Sequence, residues 1–330
     1  YRLAGININT NIELYDNLNE NDKKTMERTL KYEKEKRDNF VNNIISELTY
    51  SLRNMENFID NPIVEFNDGD IRDLNLLESK ISECDYVFHM AALRINSCAA
   101  NPDNGFDVMV KSTFDIVKLC SKYSIKKVIY SSTASVYGLA QNFPTPETDN
   151  PYDNQTFYGA AKLWGEQILR NWHFMYKLDY VALRYFNVYG PRMDTDGKYT
   201  EVMIKWLDCI KDNVNPLIYG DGLTSMDFVY VKDVAKANVN ALLSDVTDEV
   251  FNVGNSVETN LIQLLESLIE VNKVDLIPEF RDSDSINPVS RRIADISKAN
   301  KMIDYEPFYD LKKGLKELSD WYFKIKSLKK

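Results

Sequence analysis

Two stretches decide the fold of this chain: Val128-Ile-Tyr-Ser-Ser-Thr133-Ala-Ser-Val-Tyr-Gly138 and Tyr158-Gly-Ala-Ala-Lys162. The first begins as an apolar run typical of a buried strand and leads directly into a cluster of hydroxyl side chains. The second places a phenol and an ammonium four residues apart in a helical pattern, so both lie on one helix face. Ligands bind at the carboxyl ends of the strands in parallel sheets. The two stretches therefore predict a cleft in which a hydroxyl holds a substrate oxygen while Tyr158 takes its proton.

The Tyr-x-x-x-Lys spacing is common by chance, and the hydroxyl-rich strand before it is what gives it weight. A tyrosine with its ordinary pKa of about 10 is a poor base at neutral pH. A neighbouring cation favours the phenolate, so we expect Lys162 to lower the pKa of Tyr158.

Working outward, short β-branched or aromatic runs alternate with amphipathic helical patterns, as in βαβ units with a parallel sheet. The predicted strands are 12–15, 63–66, 86–88, 127–131, 180–184, 217–219, 228–231 and 250–253. The predicted helices are 107–123, 158–176, 200–211, 232–244, 260–271 and 311–326. In the last helix, apolar residues recur at helical spacing and are expected to face the core: Leu311, Leu315, Leu318, Tyr322 and Ile325.

The composition of the 330 residues, 44% hydrophobic and 27% charged, is ordinary for a soluble globular protein. The net charge of −10 opposes binding to nucleic acid or acidic membranes. No apolar run approaches the roughly 18–20 residues of a membrane span, and no signal peptide is visible. We expect a cytoplasmic protein. Its four cysteines have no metal-ligand spacing, so we expect free thiols and no metal: Cys84, Cys98, Cys120 and Cys209.

Further motifs follow the first two in a fixed order. They are Arg184-Tyr-Phe-Asn187-Val-Tyr-Gly-Pro-Arg192, Tyr219-Gly-Asp-Gly222, Asp227-Phe-Val-Tyr-Val-Lys-Asp233, Phe251-Asn-Val-Gly254 and Ala294-Asp-Ile-Ser-Lys298. Together the motifs resemble the NAD-dependent epimerase/dehydratase family of extended short-chain dehydrogenases/reductases, and most of all its UDP-glucose 4-epimerases. The resemblance runs from about residue 61 to the end of the chain.

This resemblance implies an α/β fold: a doubly wound parallel sheet of the Rossmann type, incomplete at its N-terminus, with a smaller C-terminal substrate lobe. We expect residues 1–190 to form the NAD-binding domain and residues 191–330 to form the substrate lobe, with 228–255 returning to the first domain. Family members are commonly dimers, so we expect a homodimer formed through the helices at 107–123 and 158–176.

The resemblance also assigns roles to residues. Tyr158 becomes the general base, Lys162 its electrostatic partner and a ribose ligand, and Thr133 the residue that binds the sugar 4-oxygen. The implied reaction oxidises a nucleotide sugar at C4, turns the 4-keto sugar over and returns the hydride to the other face. The implied NAD contacts besides Tyr158 and Lys162 are Asp70, Ile71, Ala91, Ala92, Arg94, Ser131 and Tyr185. The implied substrate contacts besides Thr133 are Asn187, Arg192, Leu217 and Tyr219.

The adenosine end of the NAD site departs from the family pattern. No G-x-x-G-x-x-G loop occurs near the start, so we expect the chain to begin inside or after the first helix of the fold. The segment Ile12-Glu-Leu-Tyr-Asp16 matches the second strand, which in the family ends in an acid that binds the ribose hydroxyls. Asp38 is the alternative for that role, although the charged residues 19–37, which we interpret as an insertion, precede it.

The substrate end departs from the pattern as well. Met226 and Ser285 stand where the family has arginines that hold the substrate diphosphate, and Met109 replaces a family Asn. We expect Arg192, Arg291 or Arg292 to supply the missing charge. Thr133 is followed by Ala134 and Ser135 rather than the Asp-Glu pair of the dehydratases, which favours epimerisation or 4-ketoreduction over 4,6-dehydration.

Three functional hypotheses remain from the sequence. The leading one is UDP-glucose/UDP-galactose 4-epimerisation with NAD, for surface polysaccharide synthesis. The second is another nucleotide-sugar oxidoreductase, either a 4-ketoreductase or a dehydratase. The third is a truncated, non-catalytic homologue, which the missing glycine-rich loop favours and the intact Thr133, Tyr158 and Lys162 oppose.

Overall fold

The computed structural model describes residues 65, 67–195, 201–282 and 289–328. The chain divides into two units after Asp70, and every helix and strand named below belongs to the second unit, Ile71–Lys330. The predicted strand at 12–15, nearly all of the one at 63–66 and the charged segment 19–37 lie outside the described residues.

Strands β1–β10 are, in order, Tyr86–His89, Lys127–Thr133, Tyr180–Tyr185, Asn187–Tyr189, Leu217–Tyr219, Ser225–Tyr230, Glu249–Val253, Glu258–Asn260, Glu279–Arg281 and Arg291–Arg292. Helices α1–α10 are Leu74–Ile81, Ile95–Ala100, Pro102–Phe106, Ser112–Lys122, Phe157–Tyr176, Val202–Asp212, Val231–Leu243, Leu261–Asn272, Ser297–Ile303 and Leu311–Leu328. A π-helical turn, Asp107–Lys111, leads into α4.

The main sheet is parallel, with the strand order β1-β2-β3-β7. Alternate residues of its central strands face opposite sides. Val128 and Ala182 pack with α1, α4 and α5 on one side, and Ile129 and Leu183 pack with α7 and α9 on the other. Helices thus cover both faces, which confirms the predicted doubly wound α/β fold.

The C-terminal part of the chain builds a second, smaller assembly. Parallel strands β10-β6-β4 form one sheet, with β8 antiparallel to β6, and β5 pairs with β9. Helices α6, α8 and α10 pack into a separate apolar core beside these strands. Leu315, Leu318 and Tyr322 are fully buried there, which confirms the predicted inner face of α10. The domain boundary proposed at residue 190 stays a prediction.

Most predicted elements occur within a few residues of their predicted ends, and several short elements were missed. β6 begins at Ser225 instead of residue 228, because its first residues pair with β8 and β10 from distant parts of the chain. The strands β8 and β10 and the helix α9 carry no pattern long enough to identify them in the sequence. Among the described helices, none is both long and apolar enough to cross a membrane.

Candidate active site

The end of β2 and the start of α5 bring Thr133 and Tyr158 together. Thr156 caps α5, and its hydroxyl accepts a hydrogen bond from the Gly159 amide at 3.0 Å. Tyr158 therefore lies in the first turn of the helix, where it hydrogen-bonds to the Thr133 hydroxyl. Both side chains line the same open cleft.

Lys162 lies one turn further along α5, beneath the cleft. Its Nζ donates a hydrogen bond to the Ser131 carbonyl at 2.7 Å and lies 4.9 Å from the centre of the Tyr130 ring. The side chain is almost completely buried. Burial lowers the pKa of Lys162 to about 8, although Cys98 and Glu166 oppose the shift.

The pKa of Tyr158 moves opposite to the sequence-based expectation. Burial raises it, and the hydrogen bond with Thr133 offsets only part of that shift. The ammonium of Lys162 points to a backbone carbonyl of β2, so the protein by itself does not produce the lowering that the spacing suggested.

A glycine sets the distance between α5 and β2. A Cβ atom at Gly165 would lie 2.2 Å from the Tyr130 hydroxyl, so any larger residue would push the helix away from the strand. This close approach lets Lys162, one turn earlier, reach the Ser131 carbonyl.

The cleft has a volume of about 1060 Å³, and strands of both sheets contribute to its walls. Tyr185 and Asn187 lie on the strand segments that link the two sheets. Met226 and Arg292 lie further along the same wall, as register partners on the parallel strands β6 and β10. Neighbouring strands are about 4.8 Å apart, so Arg292 stands beside the position where the family has an arginine.

The three arginines suggested by the sequence have different surroundings. Arg291 is exposed and forms a two-pronged ion pair with Glu258, with both N–O distances 2.8 Å. Arg192 is exposed, has a φ of 76° and is not among the cleft-lining residues. Arg292 lines the cleft and has no hydrogen-bond or ion-pair partner among the described residues. Burial alone lowers the pKa of Arg292, and such an uncompensated guanidinium fits an anionic ligand.

The remaining predicted NAD contacts have different surroundings. Ser131 and Tyr185 share a hydrogen bond of 3.1 Å, and the Tyr185 hydroxyl donates to Asn238 at 2.9 Å. Ala91 and Ala92 are exposed just after β1, and Ile71 lies in a turn before α1. Asp70 ends the first unit. Asp16 and its alternative Asp38 lie outside the described residues.

Arg94, expected on the nicotinamide side, lines the cleft. Its guanidinium is 3.4 Å from the carboxylate of Asp194, another cleft-lining residue that the sequence analysis missed. Met109 accepts a hydrogen bond from the Leu93 amide through its sulfur at 3.1 Å. The residue that replaces the family Asn therefore still contacts the loop that carries Arg94.

Two predicted substrate contacts lie away from this cleft. Leu217 and Tyr219 belong to β5, which pairs with β9, and neither is among the residues that line the cleft. The Leu217 carbonyl accepts a hydrogen bond from the Trp206 indole at 3.0 Å, which ties it to the smaller core.

Asp227 was missed as a functional position, because its motif identified the segment without a role for the carboxylate. Its oxygens accept hydrogen bonds from the amides of Asn255, Ser256 and Ala294 at 2.6, 2.9 and 3.1 Å. Burial raises the pKa of Asp227 to about 6, despite these three donors. The carboxylate thus fixes Ala294, two residues after Arg292, to the strand that carries Met226.

The donors present suit a dinucleotide that carries ribose hydroxyls. Lys162 is a buried ammonium with three N–H donors, and its one hydrogen bond to a described residue goes to a backbone carbonyl. It stands at the carboxyl ends of parallel strands, beside the hydroxyls of Ser131 and Tyr185. In the described part of the chain, no group of three His, Cys, Asp or Glu side chains could hold a metal. His89 is buried in β1, where its ring hydrogen-bonds with the Thr113 hydroxyl at 2.9 Å.

Comparison with known proteins places this geometry in a family. A model of the NAD-dependent epimerase/dehydratase family matches residues 33–254. The chain belongs to the NAD-dependent epimerase/dehydratase family. It is thus an enzyme of a family that uses NAD, and its solved neighbours include proteins crystallised with NAD.

Three relatives show the range of sugars within this family. The chain is 34% identical to a putative UDP-glucose 4-epimerase of Methanocaldococcus jannaschii, over 79% of this chain and 85% of that protein. The UDP-N-acetylglucosamine 4-epimerase of Methanobrevibacter ruminantium, solved with UDP-N-acetylmuramic acid, is 35% identical with a TM-score of 0.76, covering 82% and 87%. The UDP-glucuronic acid 4-epimerase of Bacillus cereus, solved with UDP-glucuronic acid and NAD, is 25% identical with a TM-score of 0.74, covering 84% and 87%.

Proposed function

We propose that this enzyme inverts C4 of a nucleotide-diphosphate hexose, with UDP-glucose and UDP-galactose as the pair to test first. The observation that carries the proposal is the hydrogen-bonded pair of Thr133 and Tyr158 in the wall of the cleft, with Lys162 one turn behind. All three relatives described above are named as 4-epimerases of UDP sugars.

In this proposal Thr133 and Tyr158 bind the same sugar hydroxyl. Thr133 donates a hydrogen bond to the 4-oxygen, and Tyr158 removes the 4-hydroxyl proton and later returns it. Lys162 holds a positive charge close to the phenolate that Tyr158 becomes. NAD, when bound, supplies the acceptor and donor of hydride at C4.

We assign the substrate diphosphate to the wall that carries Asn187 and Arg292. The guanidinium of Arg292 lines the cleft and has no hydrogen-bond or ion-pair partner among the described residues, and an arginine can bind phosphate oxygens through two parallel hydrogen bonds. Arg292 is therefore favoured over Arg192 and Arg291. Small-molecule pockets are commonly about 300–1000 Å³, and the cleft, at about 1060 Å³, is large enough for a ligand of that class.

Dehydration is disfavoured by the residues that follow Thr133. Ala134 and Ser135 occupy the positions of the acid–base pair that removes water across C5 and C6, and neither can act as a carboxylic acid. A 4-ketoreductase would use the same three residues, and it differs from an epimerase in consuming its cofactor stoichiometrically.

We also propose that the enzyme is a cytoplasmic homodimer that serves surface polysaccharide synthesis. Helices α4 and α5, which we expect to form the dimer contact, expose aromatic side chains. Phe114, Phe174 and Tyr176 are 37%, 79% and 54% exposed. Light scattering tests this assembly directly, and a monomeric mass would rule it out.

The decisive experiment follows the anomeric protons of the sugar by NMR, with UDP-glucose and a catalytic amount of NAD. Growth of the UDP-galactose signal to a constant ratio, without net reduction of NAD, supports the proposal. Parallel samples with UDP-N-acetylglucosamine and UDP-glucuronic acid identify the preferred sugar. Stoichiometric use of a reduced cofactor would establish the ketoreductase instead, and no turnover of any of the sugars would contradict the proposal.

A further inference from the structure

A buried ion pair lies directly behind the catalytic residues. The Nε and Nη2 atoms of Arg184 donate to Oε1 and Oε2 of Glu166 at 2.9 and 2.6 Å. The side chains are only 7% and 2% exposed. The Ser132 hydroxyl also donates to Oε1 of Glu166. Three donors from two strands therefore converge on one helix carboxylate.

The position of this carboxylate connects it to the proposed reaction. Tyr158, Lys162 and Glu166 follow one another at intervals of four residues, so they form a single stripe along α5. Ser132 immediately precedes Thr133, and Arg184 is the register partner of Ser132 on β3. Glu166 thus joins the helix that carries the base to the strand that carries the substrate hydroxyl.

We propose that Glu166 is the positioning residue of this active site: it fixes α5 against the ends of β2 and β3 and maintains the positive charge of Lys162. The inference rests on the proposed function, because it takes Tyr158 and Lys162 as the reacting pair. Glu166 acts through these residues and does not itself line the cleft.

The groups around Lys162 identify Glu166 as the carboxylate that favours its charged form. They are His89 of β1, Cys98 of α2, Tyr130 of β2, and Tyr158 and Glu166 of α5 itself, with Arg184 of β3 paired to Glu166. Burial lowers the pKa of His89 to about 3, and it raises the pKa values of Cys98, Tyr130 and Tyr158. These four groups are therefore neutral near pH 7. Two groups raise the pKa of Lys162 against the effect of burial, first Cys98 and then Glu166, and Glu166 is the one carboxylate in the set.

Fold stability alone is a weak explanation for such a pair. A buried ion pair often contributes no more stability than apolar residues of similar volume, because both charges lose their hydration. Arg184 has further partners in the Glu147 carbonyl, at 3.1 Å, and the face of the Tyr137 ring, at 4.8 Å. Glu166 has its oxygens directed to Ser132 and Arg184, the residues that precede Thr133 and Tyr185.

The test compares Glu166→Gln with Ser132→Ala in the NAD-loaded enzyme. Glu166→Gln removes the charge, so we expect kcat to fall about 10- to 100-fold with little change in KM. We also expect the alkaline limb of the pH profile of kcat, the range in which kcat declines as Lys162 loses its proton, to move about one pH unit lower. Ser132→Ala removes a hydrogen bond but no charge, so it is expected to lower kcat less and leave the limb in place. Glu249→Gln, which breaks the surface pair with Lys298, serves as the matched control and should change neither.

A second variant separates positioning from folding. Glu166→Gln leaves the Arg184 charge unbalanced and is expected to lower Tm, whereas Glu166→Gln combined with Arg184→Gln keeps a neutral hydrogen-bonded pair. We expect the double variant to recover Tm while its alkaline limb stays displaced. If the limb returns to its original position together with Tm, Glu166 has a structural role only and the inference is overturned.

One measurement does not depend on the identity of the sugar. In protein with 13C-labelled lysine ε-carbons, the Lys162 signal is the one missing from Lys162→Arg, and its pH titration gives the Lys162 pKa directly. Glu166→Gln should lower that value, and an unchanged value would refute the charge role. This result stands even if none of the tested nucleotide sugars is a substrate, so failure of the inference and failure of the proposed function are distinguishable.

Discussion

The cleft has two walls that relate differently to the family pattern. The catalytic wall, formed by the end of β2 and the start of α5, keeps the family residues Thr133, Tyr158 and Lys162 at their expected spacing. The diphosphate wall, formed by β4, β6 and β10, has Met226 in place of the arginine and carries Arg292 on the neighbouring strand. A proton transfer needs donor and acceptor within hydrogen-bond distance, which ties it to particular positions. A phosphate can be bound by any arginine that reaches it, so its charge can move between adjacent strands.

The largest effect is expected at the catalytic wall. Tyr158→Phe removes the proposed base without changing its packing, so kcat should fall about 10²- to 10⁴-fold while KM stays nearly constant. Tyr176→Phe, at the exposed end of the same helix, is the matched control and should retain full activity. Steady-state assays of both variants measure kcat and KM and show whether Tyr158 is the base. Retention of more than a tenth of kcat by Tyr158→Phe would mean that another group takes the proton.

The second-largest effect of a substitution is expected at the diphosphate wall, as a rise in KM. Arg292→Gln removes the unpartnered guanidinium, so KM for the nucleotide sugar should rise about 10- to 100-fold, as expected for a hydrogen bond to a charged group worth roughly 1.5–3 kcal/mol. Bound substrate should still react, so kcat is expected to change little. Arg291→Gln is the control, because Arg291 is exposed and paired with Glu258. Equal effects of the two substitutions would show that the wall acts only through its overall charge.

The arginine of this wall can also be moved from β10 to β6 by substitution. Met226→Arg combined with Arg292→Ser returns the guanidinium to the family position, and we expect this double variant to recover most of the affinity lost in Arg292→Gln. Isothermal titration with UDP measures the recovery without turnover. If affinity stays low, the neighbouring strand position is not equivalent, and the shift of charge from β6 to β10 is the wrong explanation.

The two walls also differ in how far the sequence could predict them. Thr133, Tyr158 and Lys162 lie on a buried strand and a long helix that the sequence patterns identified, so a shared cleft at the end of the parallel sheet could be predicted. Arg292 lies on a strand of two residues whose position depends on pairing with a distant segment. The sequence could name three candidate arginines and could not choose among them. The pKa of Tyr158 was predicted in the wrong direction, because burial depends on packing that spacing does not reveal.

Asp227 provides the smallest and most specific test of the diphosphate wall. Its pKa of about 6 in the folded protein lies above the ordinary value of 3.8, so the folded state binds more protons between about pH 4 and pH 6. The free energy of unfolding should therefore fall across that range as pH rises, by an amount on the order of 2 kcal/mol from this group.

Asp227→Asn removes this titration, and its single carboxamide oxygen cannot replace both carboxylate oxygens that now accept from Asn255, Ser256 and Ala294. We expect the stability advantage of the natural protein over the variant to be largest near pH 4 and to shrink toward pH 6, as measured by urea unfolding. Because Ala294 ties β10 to β6, the variant should also raise KM a few-fold through Arg292 while leaving kcat unchanged. A loss of kcat without a change in KM would mean that Asp227 supports the catalytic wall instead, and the separation of the two walls would then fail.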